Sequence, residues 1–565
     1  MTWIERRAPD GPRAALREAG MSDLMARLLA ARGVSQAQEA LMSAHLLLPP
    51  SGLKGIEEAA QLLGKAVLDQ TAVCIVADYD CDGATACAVA IRGLRALGLA
   101  NASFIVPDRR HDGYGLTPAL AQRVHDIGAK ILVTVDNGIA SVEGVRKARQ
   151  LGLRVLVTDH HLPGPELPAA DALVNPNQAG CGFASKHLAG VGVMFYVLLA
   201  TRSWLRLQGH FADQAEPRLD TLLPLVALGT VADVVPLDAN NRRLVHLGLE
   251  RIRRGTMPAG IRALLEVSGR TADWLQSQDL GFAIGPRINA AGRLANMGLG
   301  IECLLTDDPT LALSQAQSLD EINRERRQIE DEMRGQALAL MGHVPAQAPT
   351  GSALCLFDPG FHEGVIGILA GRLKDQYHRP TFVFAPSHAQ GDLIKGSGRS
   401  IPGFHLRDAL DALTKQHPEW ITQFGGHAMA AGCTLRAVHL AEFEQALSAL
   451  AQAWLAPEDL HLTLVSDGEL SAEDWSLPSF MAMEQQVWGA GFAPPQFHAS
   501  WQIMSQRLVG SKHLKLRLCQ GRTEVEGIWF GRSEPLPKQA TLLYRPQINR
   551  WQGRESLQIQ IEAMA

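Results

Sequence analysis

Cysteine is sparse in this sequence, and none of it is spaced for a shared ion. Eight cysteines are scattered over 565 residues with no CxxC pair. That excludes a zinc ribbon or a disulfide framework and fits thiols serving as small hydrophobes in a reducing compartment. Long apolar runs are also missing, so no segment is predicted to span a bilayer. Residues 1–20 are rich in charge, carry Pro9 and Pro12, and lack the apolar core of a secretory signal. The expectation is a cytoplasmic protein with no membrane contact. A strong net charge is absent too. The value of −5 neither requires nor excludes nucleic acid, because local fields decide binding.

What is present is unevenly placed. Residues 501–565 hold ten lysines and arginines against five aspartates and glutamates. The acidic excess therefore lies in the first 500 residues, where acid clusters suit metal ions. The length predicts two to four domains, and five regions differ in pattern. Residues 1–70 read as helical, with Leu24, Leu28 and Leu29 at helix spacing. In 71–240, continuous apolar runs alternate with helical stretches: Ala72-Val73-Cys74-Ile75-Val76-Ala77, Ile131-Leu132-Val133-Thr134-Val135 and Val155-Leu156-Val157-Thr158. That pattern predicts a largely parallel α/β sheet buried on both faces. Residues 241–345 read as a helical connecting region. Within it, 320–336 is intensely charged and is predicted to be a solvated linking helix; 344–349, rich in Pro and Ala, suits a linker. A second, smaller α/β unit is expected over 346–455, including glycine-rich turns. Over 456–565, Leu514, Leu516 and Leu518 alternate with Lys515 and Arg517. Period-two alternation of this kind predicts a small antiparallel β domain.

Each of the three apolar runs ends in candidate ligands. They are Asp78-Tyr79-Asp80-Cys81-Asp82-Gly83, then Asp136, then Asp159-His160-His161. Ligands gather at the carboxyl ends of strands in open parallel sheets, and neighbouring strands lie about 4.8 Å apart. Side chains from adjacent strand ends can therefore converge on two ions roughly 3.5–4 Å apart. Asp233 follows a further apolar run. Mixed Asp and His ligands without cysteine suit Mn²⁺ or Mg²⁺, and such a pair serves hydrolytic phosphoryl displacement. A calcium EF-hand is excluded, because Val89 stands where the twelfth-position glutamate is needed.

These acids and histidines, in this order, resemble the DHH phosphoesterase superfamily, and within it the bacterial exonucleases specific for single strands. Supporting segments are Asp108-Arg109-Arg110-His111-Asp112-Gly113-Tyr114-Gly115, Gly285-Pro286-Arg287-Ile288-Asn289-Ala290-Ala291-Gly292-Arg293, Lys395-Gly396-Ser397-Gly398-Arg399-Ser400 and Gly425-Gly426-His427. The resemblance implies a DHH catalytic domain, a helical linker, a DHHA1-type domain and a barrel of the oligonucleotide-binding (OB) type. It implies Asp80, Asp82, Asp136, His160 and Asp233 as metal ligands, with Asp136 bridging and Asp78 a ligand or close support. His161 would contact the scissile phosphate or protonate the leaving oxygen, and Asp159 would orient a histidine. Many relatives carry a histidine ligand where this chain has Val76.

Arg109, Tyr114 and Arg287 suit phosphate contact and base stacking. Ser397 and Arg399, in a turn read as an anion-binding nest, are implied to hold a 5′-terminal phosphate, with His427 near a phosphate. Lys512, Lys515, Arg517 and Trp529 would line the strand's path on the barrel. The implied activity is 5′ to 3′ removal of mononucleotides from single-stranded DNA in repair and recombination, with a single-strand-binding protein and a helicase as partners. Two other readings are a small-substrate phosphoesterase (oligoribonuclease, pyrophosphatase or cyclic-dinucleotide phosphodiesterase) and a binding scaffold without catalysis. The basic C-terminal domain argues against the first, and the retained acids and histidines against the second.

Overall fold

The computed structural model describes residues 2–107, 113, 115–341, 351–387, 391–510 and 512–564. Arg109 and Tyr114 lie outside the described residues, as does the linker expected over 344–349. The chain forms two compact units. One comprises Glu5–Glu321 with Val465–Ala565, the other Ile322–Leu464 with the first four residues.

The larger unit is built on a five-stranded sheet, all parallel. Its order is Ala102–Ile105, Val73–Ala77, Ile131–Val135, Arg154–Thr158 and Ala172–Val174. The two runs 73–77 and 131–135 are buried throughout. Alternation along Val73–Ala77 divides them between two cores. Ile75 and Ala77 pack with the helices Cys81–Ala96 and Gly190–Leu207, whereas Cys74 and Val76 pack with Leu120, Val124 and Val145 on the other face. Helices on both faces are why these strands carry no polar alternation.

The expected helical N-terminal region is present as Asp10–Glu18, Asp23–Ala30 and Ile56–Asp69. The C-terminal part of this unit is a closed five-stranded barrel. Its strands run in the order Phe497–Val509, His513–Gln520, Thr523–Trp529, Arg554–Met564 and Gln539–Trp551. All pairs are antiparallel except the third with the fourth. Leu514, Leu516 and Leu518 point inward, and Lys515 and Arg517 outward, as the alternation predicts. The barrel does not stand apart, since its apolar residues join the main core, and Asp467, which bonds the Gln496 amide just before the first barrel strand, forms a buried ion pair with Arg32 at 2.8 Å.

The smaller unit has a mixed sheet in the order Ile421–Gly426, Ala430–Arg436, Leu393–Arg399, Thr381–Pro386 and Leu354–Phe357. Only the last two strands are parallel to each other.

Two expectations need correction. The charged stretch 320–336 lies within one helix, Pro309–Leu340, but it is not wholly solvated. Asp320, Asn323, Arg326 and Glu330 are buried, at three- and four-residue steps on one face, and Arg326 bonds Glu330 at 2.7 Å and Asn323 at 2.9 Å. The glycine-rich Lys395–Ser400 stretch is not a turn. Residues up to Arg399 form a central strand whose backbone is paired on both sides. Its glycines are small because phenylalanine rings lie over them: a Cβ on Gly396 would strike Phe384, and one on Gly398 would strike Phe382.

Candidate metal centre and phosphate-binding face

Asp78, Asp136 and Asp159 leave the carboxyl ends of three adjacent strands. Parallel pairing puts those ends on one edge, so acids about sixty and eighty residues apart meet. The aspartate cluster is part turn and part helix. Asp80 caps the helix Cys81–Ala96, its Oδ1 accepting from the Gly83 amide at 2.9 Å, and Asp82 lies in the first turn. Asp82 in turn caps another helix: its carboxylate accepts from the Gly190 and Val191 amides at 2.6 and 2.9 Å. Asp233 comes from a helix end, just after Leu223–Ala232.

His160 Nε2 lies 3.1 Å from Asp136 Oδ1, 3.4 Å from Asp233 Oδ2 and 3.9 Å from Asp82 Oδ2. Three sets of ligand atoms each lie within 4.8 Å of one another: Asp82, His160 and Asp233; Asp78, Asp80 and Asp136; and Asp136, His160 and His161. Asp136 and His160 each belong to two of these groups. Asp136 is held in a left-handed backbone conformation at φ 60°. Glycine at 190 admits it, for a Cβ there would sit 2.6 Å from the Asp136 Cβ.

The donor set fits divalent cations. Asp136 Oδ1 and Asp233 Oδ2 are buried with no hydrogen-bond partner, a costly state for an anion without a counter-charge. Among the described residues, the ion-pair partner of Asp82, Asp136 and Asp233 is the His160 imidazole. Burial and the neighbouring carboxylates push Asp78, Asp136 and Asp233 well above the usual carboxylate range. Burial, then the charge of Asp80, pushes Asp82 up to about 7. Bound cations would reverse that balance. All-oxygen and imidazole donors select Mn²⁺ or Mg²⁺ over thiophilic metals.

The two histidines are fixed differently. Asp159 Oδ1 accepts a hydrogen bond from His161 Nδ1 at 2.7 Å and also accepts from the His160 and His161 amides. Its Oδ2 accepts from the Ile139 amide at 2.9 Å. Burial would lower the His161 pKa, but the Asp159 bond and the charges of Asp159, Asp78 and Asp80 outweigh it and raise the value to about 9. Burial likewise opposes ionisation of Asp159, yet its bond to His161 keeps the carboxyl below its ordinary value. Asn177 and Asn175 hold the His160 and His161 carbonyls at 2.6 and 2.9 Å.

Val76 is fully buried in apolar contact, so that position is core. Asp78 stands with Asp80 and Asp136 instead.

Other supporting residues had no distinct signal in spacing. Asn289 accepts from the Cys81 amide at 2.8 Å, and Gly292 packs against the Tyr79 carbonyl with no room for a Cβ. The Gly285–Leu294 helix thus props the aspartate loop from behind. Arg287 belongs to that helix and is buried. Its Nε and Nη2 bond Asp320 at 2.9 and 2.8 Å, and it also donates to the Ala283 carbonyl.

In the smaller unit, Lys395, Ser397 and Arg399 alternate on the half-buried face of their strand. Gly367, in the first turn of the helix Ile366–Tyr377, approaches them: a Cβ there would lie 2.9 Å from Ser397 Oγ and 3.0 Å from Arg399 Nη2. A helix N-terminus, a hydroxyl and a guanidinium together form an anion-binding arrangement. His427 lies in the adjoining turn, its amide bonded to the Ala430 carbonyl at 2.7 Å, and Ala430 pairs with Arg399 across the sheet.

On the barrel, Lys515 pairs with Glu526 at 2.9 Å and Arg517 with Glu524 at 3.2 Å. Lys512 is exposed, and Arg532 stacks on Trp529 at 4.4 Å. Trp501 is core, whereas Trp551 is 70 % exposed.

A parallel sheet with aspartates and Asp-His-His at adjacent strand ends defines a DHH-type metal-dependent phosphoesterase. The family models agree: the DHH family N-terminal domain matches residues 72–230, the DHHA1 domain 350–456 and the RecJ OB domain 466–563. The chain is 45 % identical over 556 residues to the single-stranded-DNA-specific exonuclease RecJ of Escherichia coli K12, covering 96 % of both chains. It is 32 % identical over 580 residues to RecJ of Bacillus subtilis 168, covering all of this chain and 71 % of that one. The crystal structure of Thermus thermophilus RecJ in complex with Mn²⁺ superposes with a TM-score of 0.81 at 28 % identity, covering all of this chain and 79 % of that one. The chain belongs to the RecJ family of single-stranded-DNA-specific exonucleases.

Proposed function

We propose that the protein is a metal-dependent exonuclease that hydrolyses single-stranded DNA from its 5′ end, releasing mononucleotides. The observation that carries this reading is the convergence of Asp82, Asp136, His160 and Asp233 on one buried point, with Asp78 and Asp80 beside it. These residues would hold divalent ions, which when bound would acidify a water and neutralise charge on the phosphodiester oxygens. The chain's own residues do the rest. Asp82, fixed by two helix amides, and Asp136, fixed by its turn, hold the ligand geometry without reorganisation. His161, with Nδ1 donating to Asp159, keeps Nε2 for the substrate, where a proton can pass to the leaving oxygen. Asp159 sets that tautomer.

Ser397, Arg399 and the helix end at Gly367 supply the 5′-phosphate contact, with His427 beside them, and this gives the enzyme its polarity. Arg109 and Tyr114 contact the substrate strand, while Arg287 acts through Asp320 to position its helix. The exposed basic side of the barrel guides the strand. No helix among the described residues is long and apolar enough to cross a membrane. A cytoplasmic role in DNA repair and recombination, with a single-strand-binding protein and a helicase, follows from the family reading.

The test is incubation of end-labelled single strands, DNA and RNA in parallel, with Mn²⁺ or Mg²⁺. The expected product is a mononucleotide from 5′-labelled DNA at the earliest times. A ladder of shortened 5′-labelled products would overturn the polarity, and equal rates on RNA the specificity.

A further inference from the structure

Beside the metal centre, against the segment that carries Asp233, lies an apolar pocket the reaction scheme above does not use. Its volume is about 270 Å³, and Val234, Leu237, Phe282 and Trp488 are among the residues lining it, with Arg545. Three features set it apart from ordinary packing. Phe282 is 78 % exposed, although a large apolar ring gains by burial. It sits on a π-helical turn, Leu280–Ile284, a rare conformation that occurs frequently at functional sites. Val234, the residue after Asp233, is 67 % exposed and has φ 63°, a strained conformation for a β-branched residue.

The floor is preformed. Trp488 stacks on Phe492 at 5.2 Å and donates its Nε1 proton to the Met483 carbonyl at 2.7 Å. Ser277 binds the Trp488 carbonyl at 2.6 Å, and the Leu237 amide that of Ala490 at 2.8 Å. Arg545 pairs with Glu562 at 3.3 Å and remains 30 % exposed.

We propose that this pocket is a nucleobase subsite, in which Phe282 stacks on the base of a nucleotide flanking the scissile phosphate. The assignment rests on the exonuclease reading. Its volume falls just below the roughly 300–1,000 Å³ of pockets for drug-sized ligands, so it suits a single ring system. Its lining runs along the segment on both sides of Asp233, from Val231 and Ala232 to Val234 and Val235, and Asp233 itself belongs to the metal cluster. A phosphodiester held at Asp233 therefore brings its neighbouring base to Phe282. Stacking on a ring accepts every base, as an enzyme consuming a strand of any sequence requires, and the Arg545 guanidinium suits the adjoining backbone.

Phe282→Ala is compared with wild type on an intact strand and on one with a single abasic nucleotide near its 5′ end. Wild type should slow about tenfold at the abasic step. Phe282→Ala should raise KM about tenfold on the intact strand with kcat little changed, and show no added loss at the abasic step. Phe282→Tyr should restore both. In an Asp136→Ala background, single-strand affinity should fall by the same factor on adding Phe282→Ala. Wild-type KM in Phe282→Ala, or a full abasic penalty retained there, would overturn the subsite and leave the exonuclease reading standing. A wild-type protein inactive on intact strands with either metal would overturn both.

Discussion

On the larger unit's sheet the charged side chains leave from the strand ends, whereas on the smaller unit's sheet they stand along one face of a single strand. Asp78, Asp136 and Asp159 meet because parallel strands align their carboxyl ends. Lys395, Ser397 and Arg399 meet because alternate residues share a face. The first arrangement buries several like charges that require counter-ions. The second leaves Lys395 and Arg399 half exposed beside a helix N-terminus, with Lys395 paired to Glu363 at 2.6 Å. Sheet ends thus suit a site assembled from distant segments, and a strand face suits one assembled from a short motif.

The sharpest way to break the comparison is at Asp136, a fully buried carboxylate that belongs to two of the three ligand groups. Asp136→Ala should lower turnover by about 10⁴-fold or more, while single-strand binding, measured by fluorescence anisotropy, remains within a few-fold of wild type. Near-normal turnover would remove the two-ion site. Next in size is His161→Ala, which lies beyond the cluster's deepest ligands. Loss of proton transfer should cost about 10²–10⁴-fold in kcat, and calorimetry should show divalent-ion affinity much less affected than in Asp136→Ala. Comparable loss of ion binding in both variants would make His161 a ligand rather than a proton donor.

The strand-face site predicts a smaller and more selective defect. Arg399→Ala removes a charge-assisted contact worth about 1.5–3 kcal/mol. Preference for a 5′-phosphorylated over a 5′-hydroxyl strand should fall about tenfold or more, with ion affinity unchanged. An unchanged preference would take Arg399 out of that contact.

How much of this was legible in the sequence also differs between the two sites. The strand-end acids were readable, because continuous apolar runs announce buried parallel strands and the acids follow them directly. Asp78, Asp80, Asp82, Asp136, His160 and His161 are brought together as those runs imply. The supports were not readable. The amides of Gly190 and Val191, and Asn289, lie 108, 109 and 208 residues from the groups they bind, and no local pattern reports such a contact. On the smaller sheet, glycines at alternate positions suggested a flexible turn. The structure gives the other reason for glycine, close approach of a ring. Arg287 shows the same limit, since its buried partner, Asp320, lies 33 residues away and no local pattern reports the contact.

That glycine pattern supplies the smallest expected effect. Gly398 lies in a central strand, and a Cβ there would meet the Phe382 ring, which is fully buried, stacks on Phe384 at 5.8 Å and meets Phe443 edge-on at 5.6 Å. The ring has nowhere to retreat, so Gly398→Ala should cost about 1–3 kcal/mol of stability through overpacking. A flexible turn would give the opposite sign, because alanine restricts the unfolded chain and stabilises where its conformation is allowed. Thermal melting of Gly398→Ala therefore separates the two readings by sign. Ion affinity should be unchanged, because every ligand lies in the other unit. A higher melting temperature would restore the turn, and a loss of ion affinity would mean that the two sheets' sites are coupled after all.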